Sequence, residues 1–119
     1  METIYLSGPM TDFENLNKEA FQKAKLFLEE NGYKVINPFS IANILDKQGK
    51  QEYKDYLAHD IYALNKCDKI ALLPQWNESV GARIEIVFAI ACKIPIIDAI
   101  TLNPITNLNL EFKIVYNEK

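Results

Sequence analysis

A single glutamate within an apolar helix is the first feature of this sequence that could do chemistry. Residues 80–92 predict a helix with Ser79 as its N-cap, and Glu85 is the only acid in it. An acid on a solvated helix face usually has a lysine or arginine three or four positions away, but those positions here hold Gly, Ala, Phe and Ala. Because helical side chains lean toward the N-terminus, the carboxylate extends over the gap at Gly81. This pattern favours a functional carboxylate over a solvated one.

The spacing of Ser79 and Glu85 fits a sugar phosphate. The two residues are six positions apart, which is about 9 Å along a helix. A helix start with a serine can bind an anion such as a phosphate. The sugar would then lie above Gly81, with its anomeric carbon facing Glu85. A carboxylate in that place can act as a nucleophile, and a nucleobase would be the leaving group.

Composition limits the class of protein. A chain of 119 residues with 49% hydrophobic and 24% charged residues predicts one soluble domain over residues 1–119. The net charge of −3 and the scattered lysines argue against a nucleic-acid polymer as partner, though not against a single nucleotide. No apolar run reaches the length of a membrane span and no signal peptide is evident, so a cytoplasmic protein with no membrane partner is expected.

The cysteines and the histidine give no metal pattern. Cys67 and Cys92 lie in apolar surroundings without metal-ligand spacing, so both are predicted to be buried free thiols. With one histidine in the chain, we expect no His/Cys metal site. The chemistry suggested for Glu85 needs neither a metal ion nor an organic cofactor.

The alternation of apolar runs and helical repeats predicts the fold. Strands are predicted at 3–6, 33–36, 70–73 and 94–97, and helices at 15–31, 51–66 and 80–92. Less regular segments are 39–49 (a short helix or lid), 104–110 (a helical turn) and 113–116 (an edge strand). The predicted buried sides are Leu16, Ala20, Phe21, Ala24, Phe27 and Leu28 in the first helix and Tyr53, Tyr56, Leu57, Ile61 and Leu64 in the second. This alternation indicates an α/β fold, a Rossmann-like or flavodoxin-like parallel sheet of four to five strands with helices on both faces.

The carboxyl ends of the strands are the expected ligand edge. Ser7 and Gly8 follow the first strand, and both are predicted to contact the ligand through their backbone. Trp76 lies in the loop after the third strand. Its indole could stack on a base, and it could equally pack that loop onto the domain.

Asp60 and Asp68 are predicted to lie at different distances from this ligand edge. Asp68 directly precedes the third strand, at the opposite edge, so a structural role is predicted. Asp60 lies about 12 Å farther along the antiparallel helix toward the ligand. We expect Asp60 to contact the sugar or base, where it could hold the proton that a leaving base needs. His59 points elsewhere on the helix and is expected at the surface.

Three segments together resemble a known family. They are Tyr5-Leu6-Ser7-Gly8-Pro9-Met10, the stretch from Asp60 to Asp68, and Ser79-x-Gly81-Ala82-x-x-Glu85. Over residues 3–97 the chain resembles the nucleoside 2-deoxyribosyltransferase-like superfamily, in its small branch common in phages and bacteria. The resemblance implies that Glu85 is the nucleophile, that Tyr5 hydrogen-bonds its carboxylate, and that Asp60 lies near sugar and base. It also implies a homodimer or larger homo-oligomer, since the active members complete their sites across subunits.

The residue at position 79 bears on the substrate. Ser79 is similar to the serine of 2′-deoxynucleoside 5′-monophosphate N-glycosidases, whereas the free-nucleoside transferases have an aspartate there, which would repel a phosphate. Residues 9–12 replace the glycine- and arginine-rich loop of those hydrolases, so one phosphate contact of the family is missing.

These observations predict an N-glycosidase or deoxyribosyltransferase. It would cleave or transfer at the N-glycosidic bond of a (deoxy)nucleoside 5′-monophosphate or nucleoside, with Glu85 as nucleophile. Two alternatives stay open. One is a non-catalytic nucleotide-binding sensor or phage accessory protein. The other is a glycohydrolase directed at NAD or ADP-ribose, since the same carboxylate chemistry acts on any N-ribosyl bond.

Overall fold

A four-stranded parallel sheet forms the centre of the protein in the computed structural model, which describes residues 1–106 and 108. Its strands are β1 (Thr3–Ser7), β2 (Lys34–Ile36), β3 (Lys69–Leu72) and β4 (Ile96–Asp98). The strand order is β2-β1-β3-β4, and every neighbouring pair is parallel. The order reverses between β1 and β3, where Ser7 pairs with Leu72 at the carboxyl edge. This is the switch point at which such sheets bind ligands.

Four helices connect or flank the strands. They are α1 (Lys18–Glu30), α2 (Pro38–Asp46), α3 (Tyr53–Asn65) and α4 (Val80–Ala91). In the irregular segment 39–49, residues 39–46 belong to the helix α2, whose start is capped where the side chain of Asn37 accepts a hydrogen bond from the backbone of Phe39 at 3.0 Å. Pro38 occupies the first helical position, where its missing N–H costs nothing.

The alternation of side chains along β1 divides the core into two layers. Ile4 and Leu6 pack with the buried residues of α1 on one face of the sheet. Tyr5 packs on the other face with Leu64 of α3 and Ile86 of α4. The helices therefore cover both faces, and the predicted α/β fold of the Rossmann-like or flavodoxin-like type is confirmed.

The start of the first helix differs from its prediction. Asn15, Leu16 and Asn17 have left-handed backbone angles, so the α-helix begins only at Lys18. Leu16 is consequently exposed instead of buried. Phe27 is also exposed, at 38% of its surface, because it lies about 100° around the helix from Leu28, which is buried.

Two other burial predictions are wrong. The sequence pattern predicts Tyr53 on the buried side of α3, but its side chain is 56% exposed. Leu64 is buried as predicted, and Tyr56, Leu57 and Ile61 are half-buried. Cys67 is a buried free thiol, whereas Cys92 caps the end of α4 and is exposed.

The end of the described chain returns to the sheet. Pro104 forms an isolated antiparallel bridge with Ile97, and residues 104–106 and 108 are not helical. The predicted edge strand at 113–116 lies outside the described residues, as does the rest of the segment 104–110. None of the helices in the part of the chain that the structure describes has the length and apolar character needed to cross a membrane.

Candidate active site

Glu85 is a buried carboxylate at the centre of the α4–sheet interface. Its relative exposure is 5%, and it shares the buried stripe of α4 with Ala82, Ile86 and Ala89. The apolar surroundings that distinguish it in the sequence are therefore those of a helix face turned toward the sheet. A carboxylate in such a place needs hydrogen-bond donors.

Two hydroxyl groups of β1 supply those donors. The Tyr5 hydroxyl donates to Oε2 of Glu85 at 2.5 Å, and Ser7 Oγ donates to Oε1 at 2.7 Å. Tyr5 and Ser7 are two positions apart in a strand, so both side chains point to the α3–α4 face. The Tyr5 contact is the one that the family resemblance implies. The role of all three residues in catalysis stays a prediction.

Burial shifts the protonation equilibrium of the Glu85 carboxyl. It raises the pKa of Glu85 to about 7, while the hydrogen bonds from Tyr5 and Ser7 act in the opposite direction. The pKa of Tyr5 is raised well above its ordinary value, first by burial and then by the charge of Glu85. Tyr5 therefore stays a neutral donor over the whole physiological range.

Asp60 is the second carboxyl of the site. It is half-buried on α3, and burial followed by the charge of Glu85 raises its pKa to about 7. The influence of Glu85 on Asp60, together with the packing of α3 and α4 on the same face of the sheet, indicates that Asp60 lies on the side of the sheet where Glu85 lies. His59 is exposed, as predicted. Asp68 accepts a hydrogen bond from the backbone of Thr3 at 2.8 Å at the opposite edge, which confirms its structural role.

The start of α4 is capped as the sequence predicts. Ser79 Oγ accepts a hydrogen bond from the backbone N–H of Ala82 at 3.1 Å. The space over Gly81 differs from the expected gap, because the hydroxyl of Tyr53 lies 3.1 Å from where a Cβ on Gly81 would sit. The helix start is therefore partly covered by a side chain from α3.

Two residues expected at the ligand edge have packing roles. Trp76 lies in a short 3-10 turn, Trp76–Glu78, and packs half-buried against the core on the α3–α4 face, which is one of its two predicted roles. A Cβ on Gly8 would sit 2.7 Å from Cβ of Leu73, so glycine is required there for the close approach of the chain after β3. The backbone contacts to a ligand that were predicted for Ser7 and Gly8 stay predictions.

Two features of the site were missed by the sequence reasoning. The side chain of Ser7 holds Glu85, a role that its spacing from Tyr5 within one strand could have indicated. Tyr53, the first residue of α3, lies beside the site, and no local sequence pattern predicts this position. The charges of Glu85 and Asp60 contribute, after burial, to a raised pKa of Tyr53.

Side chains that could bind a metal ion do not converge in the described part of the chain. Groups of three or more His, Cys, Asp or Glu with suitable geometry are absent among residues 1–106 and 108. The two carboxyls of the site and the hydroxyls around them can instead bind a polar organic molecule and exchange protons with it.

Fold and site together define an α/β protein with a hydroxyl-bound carboxylate at the switch point of its parallel sheet. The chain belongs to the family described as Domain of unknown function (DUF4406), which matches residues 2–98. That match runs from β1 to the end of β4 and includes every residue of the site. A search of curated proteins gave no match to the chain.

Proposed function

We propose that this protein cleaves or transfers at the N-glycosidic bond of a (deoxy)nucleoside or its 5′-monophosphate, with Glu85 as the nucleophile. The observation that carries this proposal is the buried Glu85 carboxylate held by two hydroxyl donors on β1. A structural carboxylate at this depth would ordinarily be paired with a cation. Hydroxyl donors orient the group and still leave lone pairs on each oxygen for attack.

The proposed first step forms a glycosyl ester. An oxygen of ionised Glu85 attacks the anomeric carbon, and the electrons of the breaking C–N bond pass to the base nitrogen. Asp60 supplies the proton that this nitrogen takes up. In the second step a water molecule attacks the same carbon, gives a proton to the Asp60 carboxylate, and releases the free sugar and the Glu85 carboxylate. A second base in place of that water would give transfer.

The electrostatics of the site are compatible with this division of roles. The reaction needs Glu85 ionised and Asp60 protonated at the same pH. The hydrogen bonds from Tyr5 and Ser7 favour the charged form of Glu85 by lowering its pKa against the effect of burial. The pKa of Asp60, raised by burial and then by the charge of Glu85, favours a protonated acid near neutral pH. Both pKa values lie at about 7, so near neutral pH the two carboxyls share protons, and the state with Glu85 ionised and Asp60 protonated is the one that the reaction uses.

The sequence adds support of a second kind. The segments around Tyr5, Asp60 and Glu85 resemble the nucleoside 2-deoxyribosyltransferase-like superfamily, and the family match over residues 2–98 leaves the activity open. The resemblance also favours a homo-oligomer and a nucleotide ligand. These stay proposals with the activity itself.

The test follows free base by chromatography after incubation with nucleosides, their 5′-monophosphates and NAD. We expect base release from at least one nucleoside or monophosphate. Glu85→Gln should reduce kcat by on the order of 10³-fold or more, because the amide is not a nucleophile. Glu30→Gln is the matched control, since Glu30 is an exposed residue at the end of α1.

Each outcome has a defined meaning. Full release by Glu85→Gln would exclude Glu85 as nucleophile. Release from NAD alone would move the substrate to the NAD or ADP-ribose class with the same carboxylate chemistry. Binding of nucleotides without release from any of them would overturn the proposal in favour of a nucleotide sensor.

A further inference from the structure

The hydroxyl of Tyr53 lies over the start of α4, at the ligand edge of the sheet. It is 3.1 Å from the position that a Cβ on Gly81 would take, and Ser79 Oγ is 4.0 Å from the same position. A Cβ at position 81 would be tight against the phenol oxygen, which would have to give way by a few tenths of an ångström. The contact therefore joins α3 to α4 directly beside the site.

The backbone at Tyr53 is fixed by the start of α3, whereas its side chain is not held in the core. Tyr53 is the first residue of α3, and the backbone N–H of Glu52 donates to Oδ2 of Asp55 at 2.8 Å, which fixes the chain at that helix start. The side chain is 56% exposed, so its ring does not serve mainly to fill the core. Its polar end is placed against α4, while much of the ring faces solvent.

The hydroxyl keeps its proton in this place. Burial of the oxygen and then the charges of Glu85 and Asp60 raise the pKa of Tyr53. The group is therefore a neutral hydrogen-bond donor that lies within the field of both carboxyls.

We propose that Tyr53 binds the 5′ end of the sugar and thereby sets which nucleosides this site accepts. The inference rests on the function proposed above. Gly81 precedes Glu85 by one helical turn, about 6 Å along the axis. With its anomeric carbon at Glu85, a furanose that extends toward the helix start brings its 5′ oxygen to the hydroxyl that covers Gly81. Tyr53 then donates a hydrogen bond to that oxygen.

Paired deletions on enzyme and substrate test the contact. The steady-state kinetics of base release are measured for wild type and Tyr53→Phe, each with a nucleoside and with the corresponding 5′-deoxynucleoside, which lacks the 5′ oxygen. In wild type, loss of that oxygen should lower kcat/KM by about 3- to 10-fold, mostly through KM. In Tyr53→Phe the ratio between the two substrates should fall to near one, because the donor is already gone.

Tyr62→Phe is the matched control. Tyr62 lies on the same helix, is exposed, and has Lys66 over its ring, away from the site. It should keep the substrate ratio of wild type. An equal ratio in wild type and Tyr53→Phe would overturn the proposal for Tyr53 and leave the glycosidase function standing.

A binding measurement distinguishes failure of the proposed glycosidase function from failure of the proposed Tyr53 contact. If wild type releases base from no substrate, the proposed function fails, and calorimetric titration with the intact nucleoside then tests Tyr53 alone. Binding that is weaker in Tyr53→Phe than in Tyr62→Phe supports the contact. Equal binding by both variants, or none by wild type, overturns it.

Discussion

The hydroxyl of Tyr5 and the carboxylate of Glu85 form a buried hydrogen bond of 2.5 Å between residues 80 positions apart. It joins β1, an inner strand of the sheet, to α4, the helix that follows the neighbouring strand β3. Both elements are packed in the core, so the carboxylate is held by rigid parts of the fold and not by a loop. The bond also limits how far burial can raise the pKa of Glu85.

Removing this donor should affect the reaction most at low pH. Tyr5→Phe deletes one of the two hydrogen bonds that lower the pKa of Glu85, so that pKa rises further and less of the nucleophile is ionised below neutrality. We expect kcat/KM for base release to fall by about 10-fold near pH 6 and by less near pH 8. Tyr62→Phe is the control at an exposed tyrosine. A loss of the same size at both pH values would contradict this explanation.

Glu85 should also make the stability of the protein depend on pH. The pKa of its carboxyl is about 7 in the folded protein against an ordinary value of 4.5. The folded state therefore binds more protons than the unfolded state between these values, and stability falls as pH rises through this window. The shift corresponds to roughly 3 kcal/mol lost by pH 8.

Thermal unfolding of wild type and Glu85→Gln at pH 5 and pH 8 checks this. The wild type should lose several degrees in Tm between the two pH values, and Glu85→Gln should lose clearly less, because an amide has no proton to release. Glu30→Gln, at an exposed position, should behave as wild type. Equal pH dependence in Glu85→Gln and wild type would show that Glu85 is not the group responsible.

Asp60 should control the alkaline limb of the pH profile. Its pKa of about 7, raised by burial and then by Glu85, means that the proton for the leaving base is lost as pH rises above neutrality. Base release by wild type should therefore fall above about pH 7. Asp60→Asn should lower kcat by about 100-fold and remove this limb, because an amide cannot transfer a proton in that way.

The neighbouring residue serves as control for that experiment. His59 is exposed on the adjacent position of α3, and His59→Gln should keep both the rate and the profile of wild type. An alkaline limb that persists in Asp60→Asn would assign it to another group.

The parts of the fold that depend on local pattern could be predicted. The alternation of apolar runs with helical repeats predicted the parallel sheet. Ser79 predicted the start of α4, because an N-cap side chain binds the amides directly after it. Glu85 was recognisable as an unusual acid because the positions three and four residues away on its helix are apolar or small. These signals need only a few adjacent residues.

Features that arise from contacts between distant segments were missed. The position of Tyr53 over Gly81 depends on how α3 packs on α4, and periodicity alone placed it in the core. Leu16 itself has left-handed backbone angles, which the sequence does not predict because leucine rarely adopts them. Cys92 is exposed because α4 ends at Ala91, beyond its packed part.

Only the structure explains why a glycine is needed at position 8, and substitution of Gly8 tests that explanation. A Cβ at position 8 would lie 2.7 Å from Cβ of Leu73, and neither atom is at the end of a flexible side chain. Gly8→Ala must therefore shift backbone between β1 and β3, and we expect a loss of about 1–3 kcal/mol in the free energy of unfolding. Urea denaturation measures it.

Gly81→Ala is the matched comparison. A Cβ at position 81 would be tight only against the end of the Tyr53 side chain, at 3.1 Å, which can move aside, while Ser79 Oγ at 4.0 Å is at ordinary contact distance. Alanine is also the better helix former by up to about 1 kcal/mol, so Gly81→Ala should be neutral or stabilising. Base release should nevertheless weaken modestly in Gly81→Ala, because the added methyl group shifts the Tyr53 hydroxyl from its proposed contact with the sugar. Equal losses of stability in the two variants would contradict the close approach of Gly8 to Leu73.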